Sequence, residues 1–284
     1  MIYLTEPQSV TFKVKDYKDK YGYNPNFLGK QVPLPKISKK FLDDIAKIKN
    51  SGSELKYTHF SVVLSKKRSL AFFTAVNIDG SKSHKIRRKA DVWYYDPRID
   101  KKYQAGEWLY AGNPLDRGHL VRQLDPTWGD LETAKTANDD TFHFTNCSPQ
   151  HKKFNQGKWA KLENYILDNT DKHDLKVSVF TGPVFRDDDM PYRKVRIPAE
   201  FWKVLVMRKT NKKLSATAYL QTQKNLIEEL ALEFAFGKYQ TYQVPLTTIE
   251  SLTGLDFGIL KKYDPLTKTG IAAVAIKGQK NIRL

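Results

Sequence analysis

Four segments concentrate the residues that could move a proton, hold a cation or neutralise an anion: Asp116-Arg117-Gly118-His119, Asn146 in Phe144–Gln150, Asn155 in Phe154–Trp159, and Glu163 after Leu162. They supply a base, a guanidinium, a hard-metal ligand and a carboxylate, which together suit metal-assisted cleavage of a phosphodiester. His119 is the best base, because histidine's ordinary pKa leaves it neutral near physiological pH. Arg117 lies two residues earlier, so in an extended strand the two side chains share a face, and a guanidinium can grip a phosphate bidentately. Gly118 between them permits a close approach of backbone to substrate or a φ that other residues avoid. Asp116 reads as the partner of a nearby cation or as a turn cap.

Asn155 and Glu163 are eight residues apart, about 12 Å along a continuous helix. The easier arrangement has the Asn155 amide oxygen bind the ion directly while Glu163 accepts hydrogen bonds from the ion's waters. Mg²⁺, which keeps several waters, suits so small a ligand set. Taken alone, an Asn-Gln-Gly turn opening a helix reads as a cap. Of the six histidines, His59, His84 and His173 read as structural, while His143 and His151, flanking the asparagine loop, read as candidate substrate contacts. Arg122, three residues past the motif, reads equally as a substrate-groove contact and as a solvated cation.

The rest of the chain must position these groups. It has 284 residues, 40% hydrophobic and 12% aromatic, enough for a substantial core. Forty-eight Lys+Arg against 31 Asp+Glu give a net charge of +17, which favours a polyanionic partner, nucleic acid first. Cys147 is the only cysteine, which excludes an intrachain disulfide and a thiolate zinc site, and it reads as a packing residue. No run of about 18 apolar residues suggests a membrane span. Without a visible signal peptide the sequence reads as cytoplasmic, or as secreted or periplasmic if a leader was removed.

Residues 1–54, punctuated by Pro25, Pro33 and Pro35, read as an N-terminal arm on a domain of residues 55–284, with helical spacing over Phe41–Ile48. Thr58–Leu64 and Leu70–Ile78 read as a hairpin, as do Phe201–Met207 and Leu214–Leu220. Leu175–Thr181 is a strand, Asp116–Gln123 a strand or extended loop, Ala134–Asp140 a helix or loop, and Phe154–Asp168 a helix. Ile249–Leu252 and Phe257–Lys262 are short helical candidates. Strands dominate and helices intervene irregularly, which makes the class α+β with a mainly antiparallel sheet flanked by helices. Asp187-Asp188-Asp189 reads as a solvated loop, and the tryptophans Trp93, Trp128, Trp159 and Trp202 as mostly core.

Leu115–Leu120, Thr145-Asn146 with Pro149-Gln150, Asn155-Gln156-Gly157 with Trp159, and Leu162-Glu163 resemble the signature of the DNA/RNA non-specific endonucleases. That family of ββα-metal nucleases includes mitochondrial endonuclease G. The resemblance runs from about Tyr57 to Phe257, taking in Asn77–Gly80, Thr181–Val184 and Thr253–Phe257. It implies His119 as general base, Asn155 as the single direct Mg²⁺ ligand with Mn²⁺ able to substitute, and Arg117 as phosphate stabiliser. It further implies Glu163 as support for the hydrated metal and Asn146 as an organiser of the site. An upstream arginine is expected on the phosphate, and Arg88 in Arg87-Arg88-Lys89 is the choice. The implied activity is hydrolysis of DNA and RNA with little sequence preference, leaving 5′-phosphate ends. A homodimer and a protein inhibitor are compatible partners. The competing reading is a non-catalytic basic nucleic-acid-binding protein on a nuclease-like scaffold.

Overall fold

A computed structural model describes residues 12–48, 51–87, 92–155, 170, 174–209, 211–224 and 241–276. The strands are β1 (Lys36–Ile37), β2 (Leu55–Lys56), β3 (Phe60–Leu64), β4 (Ala71–Asp79), β5 (Leu115–His119), β6 (Cys147–His151) and β7 (Lys176–Val184). They continue as β8 (Met190–Tyr192), β9 (Val195–Ile197), β10 (Glu200–Arg208), β11 (Leu214–Thr222), β12 (Thr241–Val244), β13 (Leu255–Asp256) and β14 (Val274–Ala275). Among the described residues the α-helices are α1 (Glu107–Tyr110), α2 (Leu131–Asp140), α3 (Lys152–Phe154), α4 (Leu246–Thr253) and α5 (Pro265–Thr269).

Among the described residues, one eight-stranded sheet runs β14-β12-β11-β10-β7-β4-β3-β2, with every pairing antiparallel. The expected α+β class with an antiparallel sheet is what the chain adopts. The two expected hairpins form as β3–β4 and β10–β11. β3 and β4 are buried along their whole length, because the sheet is covered on both faces and needs apolar side chains on each. A bulge pairs Val63 with Phe73 but Leu64 with Ala71. The extra residue, Phe72, therefore packs on the same side as Phe73.

One face carries Tyr57, Phe60, Val62, Val76, Val179, Phe201 and Tyr219, and it receives Leu120, Val121 and Phe154 from the segments around the candidate site. The other carries Phe73, Phe180, Trp202, Val204 and Ala218, covered by Leu246 and Ile249 of α4 and by Tyr23, Leu28 and Val32 of the N-terminal arm. Trp202 and Phe180 are fully buried, and each such side chain contributes about 1.5–3 kcal/mol of transfer free energy.

The helix expected over Phe41–Ile48 does not form. Lys39–Asp44 makes a 3₁₀ helix, after which Ile45 bridges Ser65 and Ala46 N–H donates to Leu64 C=O at 2.8 Å. Backbone pairing to the end of β3 captures those amides before they can propagate a helix. β1 of the arm pairs with β13 near the other end of the chain. Asp189 is not solvated: it is buried and accepts from Arg68 Nη1 (3.2 Å), Arg186 N–H (2.9 Å) and Ala199 N–H (3.2 Å).

Candidate active site

Leu115–His119 forms β5, paired antiparallel with β6 so that His119 faces Cys147, Gly118 faces Ser148, Arg117 faces Pro149 and Asp116 faces Gln150. The hairpin is pinned by apolar anchors: Leu115 is buried before the motif, and Leu120 and Val121 are fully buried after it. Asn146 holds the exit of β5. Its Oδ1 accepts from Val121 N–H (2.9 Å), and its Nδ2 donates to Val121 C=O and Thr141 C=O (both 2.9 Å). Fully buried, this side chain acts on backbone rather than on a ligand.

His119 is half-buried. Its ring lies 4.6 Å from that of Trp93 and 5.0 Å, edge to face, from that of Phe142. Two aromatic walls fix the imidazole plane, which is what a base needs for its lone pair to be aimed. Arg117 forks onto Glu107 of α1 through Nε to Oε2 (3.1 Å) and Nη2 to Oε1, and stacks over Tyr110 one turn along (5.4 Å). The fork is the geometry that a phosphate would also accept. The Glu107 carboxylate is more than half exposed, and such pairs are worth about 0–1 kcal/mol, so a phosphodiester can displace it at little cost.

Gly118 has an ordinary φ, and its role is spatial. A Cβ there would lie 2.1 Å from Gln150 Oε1 and 2.2 Å from Cδ. The space is taken by the facing strand's own side chain, so close packing on Gln150, and not a left-handed backbone, requires this glycine.

Asn155 follows α3 directly after β6. Its Nδ2 donates to Asp116 Oδ2 at 3.1 Å. A carboxylate only accepts, so the amide nitrogen must be the atom facing Asp116, which leaves Oδ1 as the atom available to a cation. Beyond the expected roles of Asp116 as a cation's partner or turn cap, its carboxylate orients the amide. A neutral carboxamide oxygen backed by a carboxylate is a hard donor set suited to Mg²⁺. Among the described residues no group of three or more His, Cys, Asp or Glu could hold a metal ion.

Asp116 and His119 are three residues apart on β5, about 10 Å at strand rise and on alternate faces of the strand, so the hydrogen bond to Asp116 ties the Asn155 amide to the same strand that bears the imidazole. Glu163 and Arg88, with most of the helix expected over Phe154–Asp168, lie outside the described residues. Arg122 is half-buried, with Nη1 shielded from solvent and without a hydrogen-bond partner among the described residues. His143 is fully buried between Tyr17 Oη (2.7 Å from Nε2) and Asp140 C=O (2.9 Å from Nδ1), which rules out direct contact with substrate. His151 caps α3. Burial pushes the Cys147 thiol up to about 12, with Tyr110 Oη beside it, so it stays protonated and is no nucleophile.

The sequence reading missed Asp116 as the orienter of Asn155, Trp93 and Phe142 as the walls of His119, and Glu107 with Tyr110 as the seat of Arg117. All act across strand pairings or helix packing, which no local pattern encodes.

The model of the DNA/RNA non-specific endonuclease family matches residues 37–262. The uncharacterized protein y4fB of Sinorhizobium fredii is 42% identical over 274 residues, covering 88% of this chain and 41% of its own length. Human mitochondrial endonuclease G is 30% identical over 183 residues, covering 60% of this chain and 57% of its own. Nuclease C1 of Cunninghamella echinulata is 29% identical, over 57% of this chain and 64% of its own. The chain thus spans about half the length of the curated relatives it matches. A crystal structure of an EndoG/EndoGI complex superposes with a TM-score of 0.56 at 20% identity, covering 71% of this chain and 84% of that one, a likeness of fold. With a family match across residues 37–262, the chain belongs to the DNA/RNA non-specific endonuclease family.

Proposed function

We propose that this protein is a Mg²⁺-dependent endonuclease that hydrolyses phosphodiester bonds of DNA and RNA with little sequence preference and leaves 5′-phosphate ends. The observation carrying this reading is the Asp116–Asn155 hydrogen bond, which presents one amide oxygen to a hydrated cation from the strand that bears His119. His119 takes a proton from the attacking water, its ring held by Trp93 and Phe142. Arg117 exchanges Glu107 for the scissile phosphate and balances charge as it develops. Asn155 would hold the metal, which when bound supplies Lewis-acid stabilisation of the departing 3′ oxygen. Glu163 is assigned to the hydrated ion, Asn146 to fixing the strand exit, and Arg88 and Arg122 to the substrate groove. The net charge of +17 supplies affinity through phosphates, which carry no sequence information. A protein inhibitor is part of the same reading, since the structural neighbour is EndoG bound to EndoGI.

The test is cleavage of supercoiled plasmid and of structured RNA with Mg²⁺, Mn²⁺, Ca²⁺ or EDTA, followed by ligation of the products. Cleavage of both substrates with Mg²⁺, its loss in EDTA, and ends that ligate without prior phosphorylation are expected. DNA that is shifted in a gel but uncut in Mg²⁺ would replace the enzyme with a binding protein.

A further inference from the structure

Away from the hairpin, a cleft of about 580 Å³ is lined by Lys101, Lys102, Gln104, Trp108, Arg193 and Lys194. Trp108 is 43% exposed, although an indole normally buries its large apolar face. Four cations surround it. In the substrate-free protein the carboxylates nearby on the same segments have cation partners: Asp100 pairs with Lys102 at 3.0 Å, and Glu107 with Arg117.

The cleft is built rather than incidental. Arg193 and Lys194 form the tip of the β8–β9 hairpin with φ of +45° and +69°, the left-handed pair of a tight hairpin turn. From that tip Arg193 Nη1 donates to Trp108 C=O (3.1 Å) and Ala111 C=O (2.6 Å), satisfying carbonyls at the end of α1. Beneath, Leu109 and Tyr110 of α1, Leu115 of β5, Cys147 of β6, and Val195 and Ile197 of β9 share one buried cluster. The wall of the cleft and the strand bearing Arg117 and His119 are therefore one packed unit. Glu107, next to Trp108, is the residue that seats Arg117.

From this arrangement we infer that the cleft is a subsite for single-stranded nucleic acid, in which Trp108 stacks an unpaired base while Lys101, Lys102, Arg193 and Lys194 hold the flanking phosphates. The inference rests on the nuclease reading of the neighbouring hairpin. An exposed indole ringed by cations suits an unpaired base, because a base inside a duplex has both faces covered by its neighbours. A strand leaving Arg117 across α1 meets this platform next, so the subsite biases the enzyme towards unpaired stretches of its substrate.

The experiment measures fluorescence anisotropy of a labelled 12-nucleotide single strand and of its duplex in EDTA, with cleavage in Mg²⁺ assayed separately. Trp108→Ala should weaken single-strand binding by about 5- to 160-fold, the range of one lost base stack, and duplex binding far less. Trp108→Phe should retain most of the affinity. Independently of Trp108, Lys101→Gln with Lys194→Gly, the glycine suiting the left-handed turn, should make the log–log salt dependence shallower by about 1.4, from about 0.7 per phosphate contact. Trp108→Ala binding within twofold of the parent, equal losses on strand and duplex, or an unchanged salt slope would overturn the subsite. Intact binding without cleavage in the parent protein would instead remove the nuclease reading and leave the subsite standing.

Discussion

Replacing Gly118 by alanine tests whether the β5–β6 hairpin is held as tightly as its packing implies. The added Cβ would meet Gln150 at 2.1 Å (Oε1), 2.2 Å (Cδ) and 2.6 Å (Cγ). Normal contact requires that something move by about 1 Å or more. Gln150 is fully buried and cannot swing into solvent, so its side chain must repack within the core or the two strands must separate. Overpacking of this kind costs about 1–3 kcal/mol. A displacement of about 1 Å between base and metal ligand can cost about 100-fold in rate. Gly118→Ala should therefore lower stability to chemical denaturation by that amount and cut kcat/KM on plasmid DNA by about 10- to 100-fold. Gln150 supplies the control. Its amide nitrogen and oxygen make no hydrogen bond among the described residues, so Gln150→Ala forfeits packing and no polar partner there. Adding it to Gly118→Ala should restore most of both losses, a favourable coupling between touching residues. Wild-type stability and rate for Gly118→Ala would refute the reasoning, as would a double variant no better than the sum of the two changes.

Asp116→Ala removes the acceptor that orients Asn155. The Mg²⁺ concentration for half-maximal cleavage should rise about 10- to 100-fold, as for other outer-sphere partners of metal ligands, with much of the rate recovered at saturating metal; an unchanged metal requirement would contradict the orienting role. Burial lowers the pKa of His143 below the usual histidine value. As pH falls below about 6.5 the unfolded chain takes up a proton that the native state refuses, so stability is full above that pH and declines towards pH 5, by up to about 1.4 kcal/mol per pH unit. His143→Gln should flatten that part of a thermal-melt pH profile, and a profile as steep as the parent's would show that other groups set it.

Where a run was long, β-branched and closed by a turn, the sequence showed its fate: Phe60–Leu64 with Ala71–Asp79 and Phe201–Met207 with Leu214–Leu220 are hairpins in the chain. Short pairings were hidden. β1–β13 joins two-residue strands more than 200 positions apart, and β8–β9 is a three-residue hairpin turning on arginine and lysine rather than on Asn-Gly. The helical spacing of Phe41–Ile48 misled, because the competing hydrogen-bond partner, Leu64 C=O, comes from tertiary structure. Chemistry-bearing residues stood out by type, since few residues can act as base, guanidinium and carboxamide ligand. Their supports did not. Asp116, Gln150 and Glu107 are ordinary polar residues whose meaning arises only when β5 pairs with β6 and α1 packs beside them.

The central claim is that His119 removes a proton from water at a phosphodiester that Asn155 brings to a metal ion. Cleavage of supercoiled plasmid by His119→Ala and Asn155→Ala, both verified as folded and as binding DNA in EDTA, tests it most directly. A fall of about 10²- to 10⁴-fold is expected for His119→Ala, the usual contribution of a general base, and loss of Mg²⁺-dependent cutting for Asn155→Ala. Near-parental cleavage in Mg²⁺ by the His119→Ala protein would contradict it.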